Sequence, residues 1–215
     1  MTPGPSPAPR SVVFDLGGVL IDWNPRYLYR KLFPGDETGM EHFLSTVCTP
    51  AWNEQQDAGR PVAVAVAELL GRYPEQEPLI RAYYSRFNET LRGEISGTVR
   101  LLEALDLAGI PLYALSNWSA ETFPVARARF GFLSRFRDIV VSGEIGTKKP
   151  DPAIFGVLLE RNRLTSQACV FIDDSPKNVT AAQALGFAAI HFRSPEQLAL
   201  ELERFGLLHA PAVKH

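Results

Sequence analysis

The sequence is short of several things. Of its 215 residues only two are cysteine and four are histidine, and 22 Lys and Arg stand against 24 Asp and Glu, a formal charge of −2. Cys48 and Cys169 are too few and too far apart for a zinc cluster; two reduced, buried thiols are expected. Without surplus positive charge the chain has no electrostatic hold on a phosphate backbone, so nucleic acid is not expected as a partner. Nor is a membrane, because no apolar stretch approaches the roughly 18 residues that span a bilayer. The first ten residues, MTPGPSPAPR, hold prolines and no apolar segment of the kind a secretory signal needs. They read as a disordered tail, and the expectation is a soluble cytoplasmic protein, monomer or homodimer.

What is present supports a folded core. Apolar residues make up 46% and charged residues 21%, close to the globular average. At roughly 150 residues per domain the length fits one domain with a sizeable insertion. The run SVVFDL at 11–16 is apolar without alternation, as in a strand buried on both faces of a sheet. Similar runs recur at 110–115, 138–141, 168–172 and 187–192, separated by helical patterns such as 98–108 and 152–162. Asp151, Ser175 and Ser194 each precede a proline, the signature of a capped helix start. Ser194 with Gln197 matches a capping box, and Gly186 and Gly206 sit where helices should end. The alternation predicts an α/β fold with a doubly wound parallel, Rossmann-like sheet.

Residues 24–92 break the alternation. They show no clear strand and helical stretches at about 40–47, 50–58, 62–72 and 77–91, with Tyr83, Tyr84, Phe87 and Leu91 as one apolar stripe. The expected division is therefore a tail at 1–10, a core at 11–20 and 93–208, an inserted α-helical cap at 21–92, and a C-terminal tail at 209–215.

In such a sheet ligands bind beyond the carboxyl ends of the strands. The polar residues found there are Asp15, Ser116 and Asn117, Lys148 and Lys149, and Asp173 and Asp174. Two adjacent carboxylates at the end of a buried strand repel each other and lose hydration. A cation shared with Asp15 relieves both costs, and a ligand set made of oxygen points to Mg²⁺. The inventory as a whole suits a phosphate group and a metal.

The segments SVVFDLGGVL (11–20), LYALSN (112–117), GTKKPDPAIF (146–155) and VFIDDSPKN (170–178) together resemble, in order and spacing, the four motifs of the haloacid dehalogenase-like hydrolase superfamily. The helical insertion lies where that family's type 1 cap would. The resemblance covers nearly the whole chain and implies a phosphatase acting on a small phosphorylated metabolite. It makes Asp15 the nucleophile that forms an aspartyl-phosphate, Ser116 a donor to a phosphoryl oxygen with Asn117 beside it, and Lys149 the group that neutralises both. Asp15, the Gly17 carbonyl and Asp174 would hold Mg²⁺, with Asp173 supporting it from behind these ligands or through water and Asn178 behind it. Lys148 would be a solvated neighbour.

One position departs from the phosphatase pattern. Gly17 stands where the family usually places a second Asp, the general acid and base for the leaving group. Losing a proton donor of this kind typically costs about 10²–10⁴-fold, so acidic leaving groups should suffer least. Asp22 could stand in, or could be a solvated turn residue. The departure leaves open a metal-free 2-haloacid dehalogenase using Asp15, a phosphonatase (whose cap lysine could only be Lys31) and a catalytically weak phosphate-binding domain. Trp23, Asn24, Trp52 with Asn53, and Trp118 are candidates for lining the substrate pocket, and Arg60 for meeting an anionic substrate.

Overall fold

The computed structural model describes residues 10–208. The expected tails therefore lie outside the described residues, apart from Arg10, whose amide already donates to the Ala168 carbonyl at 2.8 Å.

The chain begins with β1 (Ser11–Phe14), and a short strand β2 (Ile21–Trp23) leads into five helices. These are α1 (Arg26–Leu32), α2 (Glu37–Thr46), α3 (Pro50–Asp57), α4 (Val62–Arg72) and α5 (Glu77–Ser85). Strand β3 (Leu91–Glu94) returns antiparallel to β2 and closes the insertion. The remainder alternates: α6 (Ser96–Leu107), β4 (Leu112–Ser116), α7 (Phe123–Arg129), β5 (Asp138–Val141), α8 (Ser142–Ile145), α9 (Pro152–Asn162), β6 (Cys169–Asp173), α10 (Pro176–Ala184), β7 (Ala188–His191) and α11 (Pro195–Arg204).

The five long-range strands form a parallel sheet in the order β5-β4-β1-β6-β7. Successive side chains of a strand face opposite ways. Val12 and Phe14 accordingly join the apolar layer containing α6, α7 and α11, while Val13 joins the layer with α9 and α10. Burial on both faces explains why β1 reads as an unbroken apolar run. The winding reverses beside β1: the chain builds β4 and β5 on one side, then β6 and β7 on the other. The crevice at that reversal lies beyond the carboxyl ends of β1, β4 and β6.

The helices of the insertion pack on an apolar cluster of their own, with Tyr29, Met40, Phe43, Trp52, Leu69 and Tyr83 among its members. Three expectations are corrected here. The β2–β3 ribbon went unread because strands of three and four residues carry too little pattern, and α1 because seven residues span only two turns. The stripe expected over 77–91 divides: α5 ends at Ser85, Tyr83 stays in the insertion's cluster, and Phe87 and Leu91 belong to the sheet's core.

The helix starts also separate. Asp151 accepts from the Ala153 amide at 2.8 Å and Ser194 from the Gln197 amide at 3.2 Å. The Gln197 side chain accepts from Arg193 rather than closing the box on Ser194. The Ser175 side chain makes no capping bond; Asp173 Oδ1 takes up the Ser175 amide instead. Gly186 and Gly206 adopt the positive φ of helix ends. Both cysteines are free and buried, and burial raises Cys48 to about 12 and Cys169 to about 11.

Candidate active site

Asp15 follows β1 directly. Its amide donates to Ile172 of the neighbouring strand at 2.8 Å, and its Oδ1 accepts from the Leu16 amide at 2.7 Å. Asp173 ends β6, two strands' width from β4, where Ser116 is the last residue. Lys149 reaches between them from the loop before α9. Its Nζ lies 3.0 Å from Asp15 Oδ1 and 2.6 Å from Asp173 Oδ2, with both Lys149 and Asp173 side chains fully buried. Burial alone would lower the lysine, but the charges of Asp15 and Asp173 outweigh it and hold Lys149 above its usual value.

Asp173 is saturated. Besides Lys149 it accepts the Ser175 amide, and Asn178 Nδ2 lies 3.0 Å from each of its oxygens. Asp174 is exposed, and its carbonyl lies 3.0 Å from His191 Nε2, a contact that nothing in the scattered histidines suggested. Oxygens of Asp15, Asp173 and Asp174 lie within 4.8 Å of one another. Burial, opposed by Lys149 and reinforced by the other two carboxylates, raises Asp15 to about 7. Loss of hydration at the mouth of the site, and then the charge of Asp173, raise Asp174 as well. An all-oxygen cluster under such mutual repulsion suits a hard divalent cation. Beside it, Ser116 Oγ is buried without any hydrogen-bond partner, an expensive state for a hydroxyl unless a ligand supplies one.

Two glycines shape the loop after β1. Gly18 has φ of +75°, and a Cβ there would collide with the Asp174 carboxylate, so only glycine serves. A Cβ on Gly17, by contrast, would meet nothing within 4 Å.

Gly17 opens onto a cavity of about 60 Å³, also lined by Trp23, Asn53, Asp57, Phe87, Asn117, Trp118 and Thr122. Trp23 and Trp118, both candidates from the sequence, are brought together in this lining. The Asn117 side chain does something unforeseen: it donates to the Lys149 carbonyl and accepts the Lys149 amide, at 2.9 and 2.8 Å. It latches the lysine's loop to β4.

Other candidates have partners outside this lining. Trp52 is buried in the insertion's cluster, where its Nε1 donates to the Ala65 carbonyl and its ring stands edge-on to Tyr83. Asn24 Oδ1 accepts the Arg26 amide at the start of α1. Asp22 accepts from the Tyr27 hydroxyl at 2.7 Å and is not among the residues that line the cavity. Arg60 pairs with Glu68, and Lys31 with Glu89. Asp57 was missed because its helix, PAWNEQQD, reads as an ordinary solvated face.

The profile of the haloacid dehalogenase-like hydrolases matches residues 9–186. The chain belongs to that family and is a hydrolase. It is 26% identical to a sesquiterpene phosphatase of Aspergillus oryzae over 91% of this chain and 95% of that one. Among solved structures it is similar to a predicted HAD-like hydrolase of Porphyromonas gingivalis, with TM-score 0.72 and 23% identity over 94% and 100% of the chains. It also resembles a HAD-family enzyme of Bacteroides thetaiotaomicron solved with magnesium and inorganic phosphate, with TM-score 0.63 and 20% identity over 86% and 95%. Among the described residues, no helix is long and apolar enough to cross a membrane.

Proposed function

We propose that the protein is a Mg²⁺-dependent phosphatase that hydrolyses a small phosphorylated metabolite through an aspartyl-phosphate on Asp15. The observation that carries this reading is the convergence of Asp15, the buried Lys149 that bridges it to Asp173, and the unpartnered Ser116 hydroxyl at adjoining strand ends. The relative named as a phosphatase and the Bacteroides structure holding magnesium and phosphate support it.

Asp15 would attack phosphorus as the bond to the leaving-group oxygen breaks. Water would then attack the same phosphorus, releasing inorganic phosphate and freeing the carboxylate. Ser116 would donate to one phosphoryl oxygen and Lys149 would offset the charge of both nucleophile and phosphoryl group. Asp15, the Gly17 carbonyl and Asp174 would hold Mg²⁺, which when bound neutralises charge on the phosphoryl oxygens. Asp173, with every oxygen already engaged, would hold Lys149 and Asn178 in place rather than take the metal alone. The insertion would act as the cap that closes over the strand ends and keeps water out.

The cavity limits the substrate. Three aromatic rings and no lysine or arginine line it. A compact leaving group with an apolar face and no second anionic group fits that lining.

The test is hydrolysis of p-nitrophenyl phosphate with Mg²⁺ and with EDTA, beside Asp15→Asn. Turnover that needs both Mg²⁺ and Asp15 is the expected result. Absence of turnover, or metal-independent chloride release from 2-chloropropionate, would overturn the reading.

A further inference from the structure

Gly17 leaves the leaving-group side of the site without the carboxyl that the family's phosphatases carry there, and the space before it is open. Asp22 is engaged by the Tyr27 hydroxyl and does not line the cavity. One carboxylic acid does line the cavity with Gly17, and it comes from the insertion: Asp57, the last residue of α3. We infer that Asp57 is the proton donor to the leaving-group oxygen, and afterwards the base for the attacking water. The inference rests on the phosphatase reading.

Its backbone is fixed against the core. Ser142 Oγ donates to the Asp57 carbonyl at 2.5 Å while accepting the Trp118 amide at 2.9 Å, so one hydroxyl ties the insertion, α8 and the β4 loop together. Gly59, two residues on, allows this close approach: its φ is +94°, and a Cβ there would press on the Gly143 carbonyl at 3.3 Å.

The carboxyl is oriented by a polar chain that has no other evident task. Gln56 Nε2 donates to the Tyr84 hydroxyl at 3.0 Å and Tyr84 donates to Asn53 Oδ1 at 3.1 Å. Asn53 Nδ2 then donates to Asp57 Oδ2 at 3.3 Å. Fixing the tyrosine proton on Asn53 fixes the amide orientation, and the amide fixes which carboxyl oxygen accepts.

The chemistry is matched to neutral pH. Burial raises Asp57 to about 7, with Lys148 opposing, Glu54 adding and the Ser119 backbone opposing. Lys148 and Glu54 are the charged groups acting on it, and they pair with each other at 2.5 Å. Tyr83 and Tyr84, packed beside α3, are both held neutral by burial. Position at a helix C-terminus adds to the preference for the neutral acid. An acid with a value near the working pH is the efficient donor.

In the first step the Asp57 proton passes to the leaving oxygen as its bond to phosphorus breaks, giving the free alcohol. In the second, the carboxylate takes a proton from water as water's oxygen bonds to phosphorus, and the acid is restored.

Leaving-group dependence tests this. For wild type, kcat/KM should vary little between p-nitrophenyl phosphate and benzyl phosphate. Because kcat/KM ends at phosphoryl transfer to Asp15, before the shared hydrolytic step, Asp57→Asn should lose about 10²–10⁴-fold in kcat/KM on benzyl phosphate and less than about tenfold in kcat/KM on p-nitrophenyl phosphate, whose phenolate needs no proton. The latter activity also reports that the variant is folded. Independently of any variant, wild-type kcat/KM for benzyl phosphate should fall as pH rises through about 7, with no such fall for p-nitrophenyl phosphate. Equal losses on the two substrates, no loss, or identical pH profiles would overturn the assignment while leaving the phosphatase reading intact. Wild type inactive on p-nitrophenyl phosphate would sink both.

Discussion

On the sheet side of the cavity, Asp15, Ser116 and Asp173 hang from strand ends, and a buried lysine from the loop before α9 holds the two carboxylates by charge. Lys149 answers Asp15 and Asp173, Asn178 answers Asp173, and Asn117 latches the loop that carries the lysine. On the insertion side the lining is Trp23, Phe87, Asn53 and Asp57, without a cation, held by aromatic packing and a chain of neutral hydrogen bonds. The first wall suits the phosphoryl group, whose charge is the same in every substrate. The second suits whatever is attached to it. On the proposed function, phosphoryl transfer would fall to the sheet side, and substrate choice with protonation of the leaving group to the insertion.

Substitutions can break that division. The largest effect is expected from Asp15→Asn, which should lower turnover of every phosphate ester by roughly 10⁴-fold or more, with no dependence on the leaving group. Trp52→Ala should act on the fold, costing about 3–5 kcal/mol in urea unfolding because it empties the insertion's cluster. A loss below about 1 kcal/mol with a raised KM would return Trp52 to the pocket wall. Ser116→Ala should remove one phosphoryl donor and lower kcat by about 10²–10³-fold. It should also cost little stability, since its hydroxyl is already without a partner.

The smaller effects concern Asp57 and its surroundings. A carboxyl raised from 3.8 to about 7 on folding binds a proton in the folded chain that the unfolded chain lacks between those values. Its contribution to stability therefore falls as pH rises from about 4 to about 7. Asp57→Asn should gain stability relative to wild type over that interval, measured by unfolding at several pH values. A constant difference would contradict the shift. Lys148→Ala removes an exposed ion pair with Glu54 and should cost no more than about 1 kcal/mol. Because Lys148 opposes the rise of Asp57, its loss should move the alkaline fall for benzyl phosphate to higher pH.

The same division explains what the sequence showed and what it hid. Parallel strands buried on both faces leave long apolar runs, and the residues that end them lie in the crevice by topology alone. Asp15, Ser116, Lys149 and the Asp173–Asp174 pair were legible for that reason. On the insertion side, helical periodicity identifies which faces are apolar but not whether a face meets its own cluster or a cavity. Trp52 and Trp23 are alike in sequence, yet one fills a core and the other lines the site. Asp22 and Asp57 are both ordinary acidic positions. Only the Tyr27 hydroxyl that engages Asp22 and the seating of α3 against Ser142 tell them apart.

The most direct test of the account is to trap the intermediate. Wild type quenched during p-nitrophenyl phosphate turnover, reduced with borohydride and mapped by peptide mass spectrometry should carry its modification on Asp15. Turnover that proceeds with no trapped acyl-phosphate there, or with the label on another residue, would contradict the assignment of the sheet-side wall to phosphoryl transfer.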